Sequence, residues 1–265
     1  MFAYTSLYFD NPPVPQRALD LWLPDATHRP VSLFFVHGGG WHGGTRQQMH
    51  AIMHAFHAEG YPVASVDYRL APGATLVGQL ADVREGMAIA RAELAAAGLP
   101  TRLVLYGSSA GGHLALMAGL AEPGACGETL DARTLEAAPE IAGIIASCAP
   151  VTFLPWEDQF PGIWSSMQRA VGTPYEKSPE LYRTFSPETH AKDHGAPLLF
   201  LQAECEHLFP NDITEALAQR LARAGRRALT HCYRRAEHGF FYDVKRNSQK
   251  AALRDCLAFL ESLPQ

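Results

Sequence analysis

Short apolar runs punctuate this chain, and what lies between them leaves few folds open. "VSLFFVH" (31–37), "PVASVDY" (62–68), "TRLVLYG" (101–107), "IAGIIASC" (141–148), "PLLFLQ" (197–202) and "ALTHCYR" (228–234) have strand length, and glycine, proline or polar residues border them. In "VSLFFVH", "IAGIIASC" and "PLLFLQ" the largely continuous apolar character suits a strand covered on both faces. The intervening stretches carry a helical period. Val77, Leu80, Val83, Met87, Ala90 and Leu94 step by three or four and predict a helix that closes at Gly98. Further helices are expected at about 45–59, from about 110, at 212–224 and near 246–262. Such alternation predicts an α/β fold with a mainly parallel sheet and helices on both faces. "RALDLWL" (17–23) differs: Leu19, Leu21 and Leu23 fall on one side, which predicts a half-buried edge strand.

Residues 150–196 break the rhythm. Prolines and the aromatics Phe153, Trp156, Phe160, Trp164, Tyr175, Tyr182 and Phe185 crowd a stretch without a clear period, as in a cap or binding loop on a rigid scaffold. No repeat, low-complexity tract or linker divides the chain, so residues 1–265 are read as a single domain. A composition of 47% hydrophobic residues supplies its core.

Charge and cysteine content exclude several classes. A net charge of −5 gives no basic footprint for nucleic acid and no polybasic stretch for an anionic membrane. Cys126, Cys148, Cys205, Cys232 and Cys256 are odd in number and lack CxxC spacing, which points to reduced thiols and away from a disulfide framework or zinc knuckle. "MFAYTSLYFDNPPVP" has no basic segment followed by an apolar one, so a cytoplasmic location is expected, and no apolar run is long enough to span a membrane.

"GSSAG" (107–111) fits G-x-S-x-G and lies between an expected strand and an expected helix. In that setting the small residues permit a sharp bend that exposes the Ser109 hydroxyl at the sheet edge. "HGGGW" (37–41) follows an earlier strand, and successive glycines let backbone N–H groups turn toward one point. A phosphate-cradling loop would want GxGxxG or GxxxxGK[ST], and neither is present. A serine hydroxyl needs a base. Of 12 histidines, His238 in "EHGFF" follows the last expected strand and opens on the same carboxyl edge as Ser109. His37 is read as a brace for the glycine loop, and His113 as facing the packing side of its helix. His50, His54 and His57 share a helical face, yet without an HExxH pattern they read as a solvated face and not a metal site.

A neutral histidine acting as base needs a carboxylate to fix its tautomer. "LQAECEHLFP" (201–210) occupies the loop after the penultimate strand, and Glu206 is the chosen acid. Glu204 lies nearer the strand end, and Asp212 falls where a helix should begin, a position suited to capping it. The order Ser109, acid, His238 is that of α/β-hydrolases.

At this point the chain resembles the α/β-hydrolase superfamily, and within it small esterases of the hormone-sensitive-lipase-like and carbohydrate-acetylesterase-like groups. The matching passages are "FFVHGGGWHGG", "VASVDYRLAP", "LVLYGSSAGGHLAL", "LLFLQAECEHLFP" and "AEHGFFY", in the family's order across residues 33–242. The resemblance implies a mainly parallel eight-stranded sheet with a short cap insertion, Ser109 as nucleophile, His238 as base, and an oxyanion hole from the N–H groups of Gly39, Gly40 and Ala110. It implies no cofactor and no metal. Family members most often carry aspartate where Glu206 stands, and the extra methylene reaches ~1.5 Å further, so the loop must retreat. GSSAG in place of GDSAG leans toward acetylesterase-like and arylformamidase-like members.

The expected activity is therefore hydrolysis of short-chain, acetyl-like esters of small molecules through an acyl-enzyme. Trp41, Trp156, Trp164, Phe209 and Phe240 are candidates to wall the pocket. The alternatives are an arylformamidase-type amidase, because HGGGW differs from HGGYW at one residue, and a non-catalytic binding protein on the same fold.

Overall fold

The computed structural model describes residues 4–264 apart from 26 and 28, so the 1–265 span expected of the domain extends beyond the described residues at both ends. An eight-stranded sheet is built from β1 (Thr5–Tyr8), β2 (Ala18–Trp22), β3 (Ser32–Val36), β4 (Val63–Val66), β5 (Leu103–Ser108), β6 (Ile141–Ser147), β7 (Leu198–Cys205) and β8 (Ala228–Glu237), in the order β1-β2-β4-β3-β5-β6-β7-β8. From β4 to β8 all pairs are parallel; β1 and β2 run antiparallel to their neighbours. The helices are α1 (His50–Ala58), α2 (Leu76–Ala96), α3 (Ala110–Leu120), α4 (Ala132–Glu136), α5 (Pro161–Val171), α6 (Pro179–Thr184), α7 (Pro187–His190), α8 (Asn211–Arg223) and α9 (Asn247–Glu261). Among the described residues no helix is long and apolar enough to cross a membrane.

Two cores sandwich the sheet, and the period of two along each strand feeds both. On β3, Phe34 and Val36 join Leu80, Val83 and Met87 of α2 and Leu114 and Met117 of α3, whereas Leu33 and Phe35 join Ile52, Met53 and Phe56 of α1 and Phe259 and Leu260 of α9. That is why β3 is apolar from Leu33 to Val36. Each such side chain contributes ~1.5–3 kcal/mol by leaving water. Because β3, β5, β7 and β8 are parallel, their carboxyl ends bring the glycine loop, the GSSAG bend and the loops after β7 and β8 to one edge.

Two expectations need correction, and the stretch at 150–196 gains helices. The strand at 17–23 is not the edge: β1 pairs outside it, and β2 is buried along its whole length. Its polar face is covered too, since Asp20 accepts from Ser6 Oγ (2.6 Å), Arg46 Nε (2.8 Å) and His50 Nε2 (2.8 Å). The aperiodic stretch at 150–196 holds α5, α6 and α7, each with proline in its first turn. Proline fits there because its missing N–H is one the first turn leaves unbonded anyway. The histidine face of α1 is not simply solvated. The rings of His50, His54 and His57 lie 5.0, 6.3 and 6.3 Å from that of Trp22 and enclose it. The cysteines are free thiols, with Cys126, Cys148 and Cys256 buried but Cys205 and Cys232 exposed.

Candidate active site

Ser109 caps α3 with φ 55° and ψ −123°, a conformation that non-glycine residues avoid and that costs ~1–3 kcal/mol. Its N–H donates to the Ser147 carbonyl at the end of β6 (2.8 Å), which holds the bend against the sheet. Glycine is required behind it: a Cβ on Gly111 would drive into the carbonyls of Val36 and His37. The chain turns this tightly only because nothing projects there, and the hydroxyl is left facing out.

His238 meets that hydroxyl from the loop after β8. Ser109 Oγ lies 2.9 Å from His238 Nε2, and His238 Nδ1 lies 2.8 and 3.0 Å from the two oxygens of Glu206. With Nδ1–H donating to the carboxylate, Nε2 presents its lone pair to the serine proton. Glu206 Oε1 also accepts from the N–H groups of His207 (3.0 Å), Leu208 (2.8 Å) and Phe209 (3.4 Å). Burial works to raise the Glu206 pKa, but His238 and the N–H groups of Leu208 and Phe209 outweigh it and hold the carboxyl below its usual value. The carboxylate thus stays charged beside the ring. Glu204 points elsewhere and accepts from Arg235 N (2.8 Å), while Asp212 is exposed in the first turn of α8, whose N-cap position is held by Pro210.

The glycine loop crosses in front of Ser109. Gly39 has φ 124°, and a Cβ there would strike the Gly43 carbonyl, so this turn also excludes side chains. Gly38 N donates to Tyr242 Oη (3.1 Å), and Gly39 and Gly40 line the cavity in front of Ser109. Ala110 opens α3, so its N–H has no acceptor within the helix. His37 braces the loop as expected: it bonds the Gly38 carbonyl through Nδ1 (2.7 Å) and stacks on Tyr68 at 4.3 Å. Arg46 anchors the loop's return, bonding Asp67 through its backbone N (2.7 Å) and through its guanidinium, which also reaches Asp20.

A cavity of about 530 Å³ opens on these groups, lined by Gly38, Gly39, Gly40, Gln48, Ser109, Ile163, Leu208, His238, Gly239 and Tyr242. The five aromatics expected as its walls are absent from that lining. Trp41 is fully buried, because φ 64° turns it inward, where Nε1 donates to His113 Nδ1 (3.2 Å). Phe240 packs on Tyr233 and Phe241 in the core between α9 and the sheet. Trp164 packs on Tyr175 and Tyr182, and Trp156 on Phe209. Phe209 supports His238 from behind, ring to ring at 5.6 Å. Sequence reasoning also passed over Cys148, whose sulfur lies within 4.8 Å of donor atoms of Glu206 and His238. Only the pairing of β6 with β7 brings it there, and no motif marks it.

His113 ties the bend to its surroundings. It accepts from Trp41 at Nδ1, donates from Nε2 to the Phe185 carbonyl (2.8 Å), and is fully buried. Burial drives its pKa from 6.5 down to about 4, only partly opposed by the Phe185 carbonyl. Between those values the unfolded chain takes up a proton that the folded ring refuses, so stability falls as pH drops through that window, by about 3 kcal/mol in full. Denaturant unfolding of His113→Asn against wild type should show the variant lacking this share of the acid slope. Identical slopes would exclude the effect.

Residues 19–221 match the family model described as BD-FAE. The chain is 28% identical over 251 residues to Esterase LipC of Mycobacterium tuberculosis, covering 88% of this chain and 59% of the relative. To Esterase LipQ of the same organism it is 26% identical over 240 residues, covering 85% and 54%. It thus spans little more than half the length of these curated relatives. Among solved structures, the Thermogutta terrifontis esterase Est2 with propionate bound is similar with a TM-score of 0.75 at 21% identity, covering 98% of this chain and 93% of that one. That is a likeness of fold.

Proposed function

The chain belongs to the BD-FAE family of α/β-hydrolases, and on that footing we propose that it is a serine carboxylester hydrolase working through an acyl-enzyme. The observation that carries the reading is the unbroken series Glu206–His238–Ser109, at 2.8 and 2.9 Å, opening on a cavity. Ser109 Oγ attacks the ester carbonyl as its proton passes to His238 Nε2. The carbonyl oxygen gains negative charge and is met by the N–H groups of Gly39, Gly40 and Ala110, each donor worth roughly 2.7–4 kcal/mol to the transition state. Collapse breaks the bond to the alcohol oxygen, which leaves with the proton held by His238. Water then repeats the sequence on the acyl-enzyme and releases the acid.

The proposed substrates carry short acyl groups. The cavity must hold both acyl and alcohol portions in about 530 Å³, and Ile163 and Leu208 are the aliphatic side chains in its described lining. Across p-nitrophenyl esters, kcat/KM is expected to fall from acetate to octanoate. A maximum at long chains would overturn the short-acyl assignment, and faster cleavage of N-formyl arylamines than of acetates would replace ester by formamide as substrate.

A further inference from the structure

We infer that Tyr242 is a positioning residue for the proposed ester hydrolysis, pinning the Gly38 peptide of the glycine loop to the loop that carries His238; the inference rests on the roles given to Ser109 and His238 above. The phenol oxygen accepts the Gly38 N–H at 3.1 Å across 204 residues of sequence, and the ring lines the cavity. Three segments meet at this spot. A Cβ on Gly38 would collide with the phenol oxygen and the Ser108 carbonyl and come within 3.3 Å of Ser109 Cβ. The glycine loop, the nucleophile bend and the base loop therefore press on one another here, with the phenol between them.

The pin itself has a firm seat. Tyr106 Oη donates to the Phe241 carbonyl (2.9 Å), and Gln249 Nε2 donates to the Phe240 carbonyl (2.8 Å), so β5 and α9 fix the backbone just before Tyr242. The loop being pinned is the opposite case. Gly38, Gly39 and Gly40 follow one another, and glycine has the widest backbone freedom of any residue. Without the phenol oxygen the Gly38 N–H loses its acceptor, and the peptides of Gly39 and Gly40 lose their fixed aim at the oxyanion. Misplacement by about 1 Å near a reacting centre can cost on the order of 10²-fold.

Tyr242→Phe removes one oxygen and keeps the ring. Its kcat on p-nitrophenyl acetate is expected to fall roughly 10–100-fold with KM within about twofold. Affinity for a trifluoromethyl ketone, which forms the oxyanion on Ser109, should fall in parallel, while affinity for the free carboxylate product holds. A structural role alone would not split those two ligands. Wild-type kcat in the variant, or a loss of activity with trifluoromethyl ketone affinity intact, would overturn the inference. A measurement on the unaltered chain stands independently: the Gly38 amide should exchange hydrogen slowly, and exchange at the rate of an open loop amide would exclude the pin. Fluorophosphonate labelling of wild type separates the two levels. Absence of labelling at Ser109 removes the hydrolase reading itself, whereas labelling with an unaffected Tyr242→Phe removes only the pin.

Discussion

Ser109→Ala is expected to lower ester turnover by on the order of 10⁶-fold in kcat, leaving the residual rate that a preformed oxyanion site and substrate binding can supply. The size of the effect follows from what is lost. The Ser109 hydroxyl is the group that His238 Nε2 faces at 2.9 Å, and among the described residues lining the cavity no second nucleophile stands at that position. The fold should not suffer: among the described residues the hydroxyl bonds His238 alone, and alanine fits a bend whose tight contacts fall on the flanking glycines. Turnover of p-nitrophenyl acetate, with thermal unfolding as the control, is the measurement. A rate near wild type in the folded variant would end the mechanism.

Glu206→Gln should cost on the order of 10³–10⁴ in kcat, and the hydrogen bonds around the carboxylate say why. Oε1 accepts three backbone N–H groups, so an oxygen must occupy that position in the variant as well. The amide nitrogen is then forced into the place of Oε2, 2.8 Å from His238 Nδ1. There it donates to Nδ1, which moves the ring proton to Nε2 and leaves no lone pair for the serine. Binding should be little changed, so the loss falls on kcat. Glu204→Gln serves as the comparison, since Glu204 meets the Arg235 backbone and not the ring. A larger loss at Glu204 than at Glu206 would transfer the role.

Which parts of this molecule could be read from sequence depends on how many neighbours an element has. β3, β5 and the first six residues of β7 are buried on both faces, so apolar residues dominate them and the run announces itself. β1 pairs on one side only and is largely exposed, and "TSLY" carries no such signature. Prolines were read as breaks in 150–196, although at the first turn of α5, α6 and α7 they start helices. At the site, the convergence of Ser109, His238 and Glu206 was legible because the chain order of strand ends is fixed by parallel pairing. Trp41 was not, because a left-handed residue beside the glycines sends its ring into the core. Tyr242 and Cys148 were illegible for another reason: each meets a partner far away in sequence.

The proposed base follows β8, an outermost strand, and its partner acid follows the strand beside it. The charge series is therefore complete only once the final crossover has laid β8 against β7. A refolding chain could regain most of its helix before that closure and remain inert toward substrate. Recovered turnover would then time the docking of one edge, where spectroscopic signals average over the whole molecule.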